Sequence, residues 1–290
     1  MVITIASGKG GTGKTTVAVN LALSLGTERV MFLDCDVEEP NAYLFLNPEV
    51  EKKEKVYMPI PKVDDSKCEG CGECAKICQF KAIVVVNKIT LIFPELCHGC
   101  GGCIRVCPTK AISESHRELG EIFFGKSKDL EMIWGKLRIG EPMAPPVIKE
   151  IKKYKNKKEI TLIDAPPGTS CPVIASIKGA DYTILVTEPT PFGFNDLKLA
   201  VDVVKALKIP FGIVINRSDL GTEVVKEYAK KNNIPILLEI PFDERIAKAY
   251  SKGIPFVEEM PEYKEKFIKL YDKIEQEVRE KNERTGGNKR

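Results

Sequence analysis

The 290-residue chain has no apolar run approaching the ~18 residues that a helix needs to cross a bilayer, so no membrane partner is expected. It also lacks the pattern of a secretory leader. Its first residues combine an apolar strand with a glycine loop, where a leader has a basic segment and an apolar stretch. The expected location is the cytoplasm. Nor does one charge dominate. The 44 Lys and Arg face 41 Asp and Glu, and the net +3 at pH 7 describes a mixed surface, not the basic footprint of a nucleic-acid binder. Cysteine, by contrast, is plentiful. The chain is long enough for one large domain, or for one domain with a small insert. In such a chain, ten cysteines are not the staples of a small secreted module; their spacing reads as metal binding.

The stretch Gly8-Lys9-Gly10-Gly11-Thr12-Gly13-Lys14-Thr15-Thr16 organises the rest. It follows the apolar run Val2 to Ala6 and precedes Val17-Ala18-Val19-Asn20-Leu21-Ala22-Leu23. Strand, glycine-rich loop and helix, in that order, are the context of a phosphate-binding loop. Glycines let backbone N–H groups turn inward, and the helix N-terminus favours an anion. Gly10 to Thr16 would cradle the phosphates of ATP or ADP, Lys14 would reach the β- and γ-phosphates, and the Thr15 hydroxyl would ligate Mg²⁺.

A second lysine, Lys9, sits inside this loop. The form resembles the deviant Walker A of the MinD/ParA/Mrp family, to which the nitrogenase iron protein also belongs. The resemblance implies an ATPase that closes as an ATP-sandwich homodimer, with Lys9 acting on the partner's nucleotide. It carries over to other strand ends. The run Arg29 to Asp34, followed by Cys35 and Asp36, resembles switch I, where Asp34 would hold the Mg²⁺ shell and Asp36 would orient the attacking water. Glu159 to Asp164, followed by Ala165-Pro166-Pro167-Gly168, resembles Walker B and switch II. There Asp164 would take a Mg²⁺-bound water and the Gly168 backbone would sense the γ-phosphate. Asn216 would contact the adenine edge, and the backbone around Pro241 would close over the base. Cys35 reads as a small core residue. Cys171 lies seven residues after Asp164, the spacing of one cluster-ligating cysteine in the nitrogenase iron protein. No second cysteine lies between Pro108 and Ser170, so Cys171 reads as a free thiol.

Between these parts the pattern changes. From about Val56, Pro59, Pro61 and Lys62 lead into Cys68-x₂-Cys71-x₂-Cys74-x₃-Cys78. A short apolar hairpin from Ala82 to Phe93 follows, then Cys97-x₂-Cys100-x₂-Cys103-x₃-Cys107-Pro108. Two such runs resemble a bacterial ferredoxin with two 4Fe–4S clusters. That resemblance implies one cluster on Cys68, Cys71, Cys74 and Cys107, and another on Cys97, Cys100, Cys103 and Cys78. Zinc is the rival for paired CxxC motifs, but it takes four ligands and fits an eight-cysteine double pattern poorly. Gln79 stands where the first motif usually has proline, which removes no ligand. His98 reads as a solvated loop residue.

The expected architecture is therefore α/β: a mostly parallel P-loop sheet with helices on both faces, interrupted by a small α+β ferredoxin-like insert. The boundaries are a first ATPase part at 1–56, the insert at 57–117, a second ATPase part at 118–280 and a disordered tail at 281–290. Residues 117–147 read only as turns between short strands. Strands are expected at Tyr182 to Thr187, Phe211 to Asn216 and Ile236 to Ile240, each followed by a helix. The last helix carries Tyr263, Phe267, Leu270, Tyr271, Ile274 and Val278 at helical spacing, so it docks one face on the core.

Three functions compete. The first couples nucleotide state to electron transfer through two clusters, with a redox protein as acceptor. The second is an iron–sulfur carrier of the Mrp kind, and the third a positioning ATPase of the MinD kind. A full set of eight cluster cysteines favours the first, and the absence of a C-terminal CxxC counts against the second. The third wants an amphipathic membrane-targeting C-terminus, which the core-like aromatics of the last helix do not provide.

Overall fold

The structure is a computed structural model and describes residues 1–286. In chain order the elements are β1 (Val2–Ala6), α1 (Lys14–Leu25), β2 (Val30–Asp34), α2 (Tyr43–Leu46), β3 (Glu49–Val63), α3 (Glu73–Ile77), β4 (Ile83–Val86), β5 (Ile89–Ile92), α4 (Gly102–Val106), β6 (Ile112–Ser127) and β7 (Leu130–Leu137). They continue as α5 (Ala144–Ile151), β8 (Ile160–Asp164), α6 (Cys171–Ile177), β9 (Tyr182–Thr187), α7 (Pro191–Ala206), β10 (Phe211–Asn216), α8 (Val224–Lys231), β11 (Ile236–Ile240), α9 (Glu244–Ser251), α10 (Phe256–Glu259) and α11 (Pro261–Gly286).

Nine strands form one sheet in the order β11-β10-β9-β1-β8-β2-β7-β6-β3. β1 lies between β8 and β9 and runs parallel to both. The pairs β2–β8, β2–β7, β9–β10 and β10–β11 are parallel too. Every residue of β1, β2, β8 and β9 is buried, as a parallel strand covered on both faces requires. The α/β class and mostly parallel sheet are as expected. Tyr263, Phe267, Leu270, Tyr271 and Ile274 of α11 are buried in the same core cluster as Val17, Leu21 and Leu25 of α1. The final helix thus docks as its periodicity predicts.

The chain divides into two compact units. The first comprises Met1–Lys53, Ile122–Lys136 and the chain from Ile148 onward; the second comprises Glu54–Glu121 and Leu137–Val147. In the second, β4 and β5 form an antiparallel hairpin with Ile83 opposite Ile92 and Val86 opposite Ile89. Two five-residue helices, α3 and α4, each begin after a left-handed glycine, Gly72 and Gly101. One small cluster in this unit buries Cys74, Ile83, Cys103 and Ile112, and Val56, Met58, Leu119 and Val147 are buried elsewhere in it.

Three regions depart from the sequence-based reading. The proline-bearing lead to the first cysteine motif lies within a 15-residue strand, β3. It holds Pro59 and Pro61 because it is the last strand in the sheet order, where a missing N–H breaks no ladder. Residues 117–147 are not short strands separated by turns: β6 has 16 residues and β7 has 8. Pro145 and Pro146 open α5 instead of making a turn, since the first helical positions need no N–H donor. In the second unit this segment carries a buried ion pair, Arg117 Nη1 to Glu141 Oε2 at 3.1 Å. Finally, residues 281–286 continue α11 where a disordered tail was expected, because extending a helix already formed adds one hydrogen bond per residue without the cost of a new nucleus. The rest of the expected tail, 287–290, lies outside the described residues.

Candidate functional site

The phosphate-binding loop joins the carboxyl end of β1 to the first turn of α1. Gly13, at φ 90°, is the residue before the helix, a conformation that a side chain would strain. The ends of the neighbouring strands converge there. Asp34 and Asp164 are partners in register on β2 and β8, and both are fully buried. Lys14 Nζ donates to Asp164 Oδ1 at 2.7 Å, and Thr15 Oγ1 donates to Asp164 Oδ2 at 2.6 Å. Asp34 accepts the N–H of Asp36 at 3.0 Å and of Ala42 at 3.2 Å, which folds the segment after β2 around its carboxylate. Asp36 Oδ2 lies 3.7 Å from Lys14 Nζ.

Three carboxylates thus surround one ammonium group in a dry place. Burial pushes Asp34 up to about 8, with Asp164 adding to the effect and Lys14 opposing it. Burial likewise raises Asp36 to about 6, against the pull of Lys14. Burial alone would lower Lys14, but Asp164 and Asp36 outweigh it and hold the amine above its ordinary value. An excess of buried negative charge is costly unless a cation is recruited. A hydroxyl with two carboxylates is an all-oxygen donor set of the kind Mg²⁺ takes, so these residues fit that ion.

Beside this group lies a cleft of about 470 Å³. Lys9 to Val17, Asp36, Asn216 and Pro241 line it. Asp34 and Asp164 do not; both lie buried, Asp164 bound to Lys14 and Thr15 and Asp34 to the backbone of Asp36 and Ala42. Asn216 Nδ2 donates to Thr12 O at 2.9 Å, and its Oδ1 accepts the Arg217 N–H at 3.0 Å. A Cβ on Gly13 would come within 2.4 Å of Asn216 Nδ2, so the asparagine buttresses the loop. One N–H and one lone pair of its amide stay available to a ligand. The Gly168 N–H donates to Ser7 O at 2.9 Å and would have to leave that oxygen to meet a phosphate.

Sequence reasoning missed part of the wall. Phe242, Ile246 and Tyr250 line the cleft at intervals of four residues. That spacing puts them on one face of α9 and the residue leading into it, a legible signal once Pro241 is placed there. Glu188, just past β9, was missed as well. Its carboxylate lies 3.9 Å from Lys9 Nζ and 3.1 Å from Arg217 Nη1. Lys152 was also missed: its Nζ donates to the carbonyls of Ala175, Ser176 and Lys178 at 2.6–2.8 Å, and burial lowers its amine to about 8.

In the second unit, Cys78 lines one cavity together with Cys97, Cys100 and Cys103, among the apolar side chains of Ile60, Ile77, Phe80 and Ile104. Cys68 and Cys71 lie close enough to Cys74 to act on it electrostatically, although burial is the main cause of its raised thiol. Cys107 accepts the Ala111 N–H at 3.2 Å; Cys78 accepts the Ala82 N–H at 3.3 Å; Cys97 accepts the Gly99 N–H at 3.4 Å. Such donors suit thiolates that carry charge to a metal. Among the described residues, no three His, Cys, Asp or Glu side chains converge on a site for a single metal ion. Cysteine sulfurs are the donor type that iron–sulfur clusters take. His98, exposed, stacks on Phe80 with ring centroids 3.6 Å apart. Cys35 is fully buried and its thiol is raised by that burial, which agrees with a core residue. Cys171 is exposed in the first turn of α6.

A glycine cradle at the carboxyl end of a central parallel strand, with its lysine and threonine bound to a strand-end aspartate, defines a P-loop ATPase. Within that class the chain belongs to the family of CobQ/CobB/MinD/ParA nucleotide-binding domains, whose model matches residues 3–256. An uncharacterized protein of Methanocaldococcus jannaschii is 35% identical over 284 residues, covering 95% of this chain and 97% of its own. The iron-sulfur cluster carrier protein of Pyrococcus horikoshii is 29% identical, over 96% of this chain and 86% of its own. Among solved structures, the septum site-determining protein MinD of Pyrococcus horikoshii, complexed with Mg-ADP, superposes with a TM-score of 0.59. It covers 94% of this chain and 95% of its own at 23% identity, a likeness of fold. No helix among the described residues is long and apolar enough to cross a membrane.

Proposed function

We propose that this chain is an ATP-dependent iron–sulfur protein whose first unit binds and hydrolyses ATP and whose second unit holds two 4Fe–4S clusters, so that nucleotide state governs electron transfer. The observation that carries it is the cavity shared by Cys78 with Cys97, Cys100 and Cys103, three cysteines of one motif and the fourth of the other. That grouping is what the two-cluster ferredoxin pattern demands. Cys68, Cys71, Cys74 and Cys107 make up the other set. Clusters so held supply one-electron chemistry.

In the nucleotide cleft, Gly10 to Thr16 bind the phosphates and Lys14 meets the β- and γ-phosphates by leaving Asp164. Thr15, Asp34 and Asp164 hold Mg²⁺, which neutralises phosphate charge. Asp36 orients the attacking water, and Asn216 and the Pro241 backbone take the adenine. Lys9 exchanges Glu188 for the nucleotide of a second copy, which makes ATP the agent of dimer closure. A ligand shifts such an equilibrium only by its differential affinity for the two states.

The relative named as an iron-sulfur cluster carrier protein favours a second reading, in which the cargo is the cluster and not the electron. One experiment separates the two. Anoxically reconstituted protein, reduced with dithionite and freed of the excess, is mixed with an apo-ferredoxin or with an oxidised holo-ferredoxin, with ATP analogue, with ADP and without nucleotide. The proposal expects reduction of the holo-ferredoxin at a rate set by nucleotide and abolished in its nucleotide dependence by Lys9→Ala, while iron stays with the chain. Iron moving to the apo-ferredoxin, with no nucleotide effect on reduction, would establish the carrier instead.

A further inference from the structure

The second unit is built on a repeat of 29 residues: Cys68, Cys71, Cys74 and Cys78 recur as Cys97, Cys100, Cys103 and Cys107. The backbone repeats with them. Gly70 and Gly99 both sit at φ 66°, and Lys81 and Lys110 at 54° and 53°. The segment on which each loop rests obeys the same offset. A Cβ on Gly70 would meet Lys88, and a Cβ on Gly99 would meet Pro59, 29 positions earlier than Lys88. The repeat therefore makes the residues of β5 equivalent to residues of β3, Thr90 to Pro61, and makes Thr109 equivalent to Phe80.

At those two pairs the sites part company. In the first site, Thr90 Oγ1 lies 3.3 Å from Cys68 Sγ and Thr109 Oγ1 lies 3.7 Å from Cys107 Sγ. A thiolate bound to iron has no proton to give, so the hydroxyl is the donor in both contacts. At the equivalent places the second site has Pro61 and Phe80, which line its cavity and offer no side-chain donor. Backbone donors nearly match: Ala111 and Ala82 are equivalent, and the second site gains the longer Gly99 contact of 3.4 Å. Hydrogen bonds to ligand sulfur favour the more negative, reduced state.

Resting on the two-cluster reading above, we infer that Thr90 and Thr109 make the site of Cys68, Cys71, Cys74 and Cys107 the higher in reduction potential of the two. The first site is therefore reduced before the second. These threonines are positioning residues, acting through the sulfur atoms of Cys68 and Cys107.

The test is an EPR-monitored redox titration of the anoxically reconstituted full chain, with iron and sulfide measured on the same samples. Wild type is expected to show two reduction steps. In Thr90→Val with Thr109→Val, the upper step should fall by about tenfold in the reduced-to-oxidised ratio at fixed potential, ~59 mV for a one-electron couple. The lower step should not move. Thr90→Ser with Thr109→Ser should restore the upper step, and Phe80→Thr should raise the lower one. Samples holding about eight irons whose upper step ignores the valine pair, or whose lower step moves instead, overturn the inference and leave the clusters standing. A chain that takes up no cluster overturns the two-cluster reading, and this inference with it.

Discussion

In the first unit the ligand-binding side chains hang from strands buried on both faces; in the second, two of the four buried residues clustered at the cysteine loops, Cys74 and Cys103, are themselves the proposed ligands. The difference extends to the polar groups. Lys14, Thr15 and Asp164 saturate one another, and Asp34 is held by two backbone donors. The second unit exposes Val86, Ile89 and Leu91 on the outer face of its hairpin, and its other buried apolar side chains, among them Val56, Met58, Leu119 and Val147, lie outside that cluster. A cluster this small is marginal without a staple, and metal binding can supply the missing folding energy. One unit is shaped ahead of its ligand, and the other depends on it.

That contrast is broken most directly by taking the iron away. Chelation, or Cys103→Ser, should unfold the second unit while the first keeps its fold and its nucleotide. Hydrogen exchange followed by peptide mass spectrometry reads this out. Amides of 54–121 should lose protection to the level of exposed loops, and those of β1, β8 and α1 should keep theirs. Equal protection in both units after iron removal would mean that the second core suffices by itself.

The converse test attacks the interlocked group. Lys14→Ala removes the cation that faces Asp36 and Asp164, so nucleotide binding should vanish in a calorimetric titration. Because it strands buried carboxylates, it should also cost about 3 kcal/mol of stability or more. Cluster content should not change. A variant that binds ATP normally would deny Lys14 its phosphate role; one that loses its iron would couple the two units more tightly than the comparison allows.

The same contrast explains what could be read from the sequence. β1, β2 and β8 are near-continuous apolar runs because both their faces are covered, and the glycine loop and cysteine spacings are dictated by local chemistry. β3 was not legible. Glu-Val-Glu-Lys-Lys-Glu-Lys followed by two prolines has no strand signal of its own, and only an edge position makes it a strand. β6 and β7 were hidden for a related reason: their strand character comes from pairing across the sheet. Lys152 had no signature because its partners are backbone carbonyls more than twenty residues away. Glu188 resembles any strand-end carboxylate until Lys9 and Arg217 are seen beside it. The tail failed differently. Its charge suggested solvation, whereas a helix already nucleated carries on at little cost, here through residue 286.

The smallest effect tests whether the buried carboxylates really await a cation. Asp34 is raised from 3.8 to about 8, so between those values the folded chain holds a proton that the unfolded chain has released. Stability follows the difference in bound protons, unfolded minus folded, and that difference is negative in this window. The contribution of Asp34 is therefore fully present below about pH 4 and is lost as pH rises through about 8. Asp36, raised to about 6, acts in the same direction over the lower part of the range. Other groups titrate too, so the informative quantity is the difference between wild type and Asp34→Asn in urea unfolding from pH 5 to pH 8. The amide accepts only one of the two N–H groups now bound to the carboxylate, which should cost about 1 kcal/mol at every pH. On top of that offset, wild type should lose stability relative to the variant as pH rises. Mg²⁺ with ADP should flatten the wild-type slope, because added positive charge lets Asp34 ionise in the folded state. Parallel wild-type and variant profiles would mean that Asp34 is already ionised in the fold, and that the negative charge beside Lys14 is not waiting for a metal.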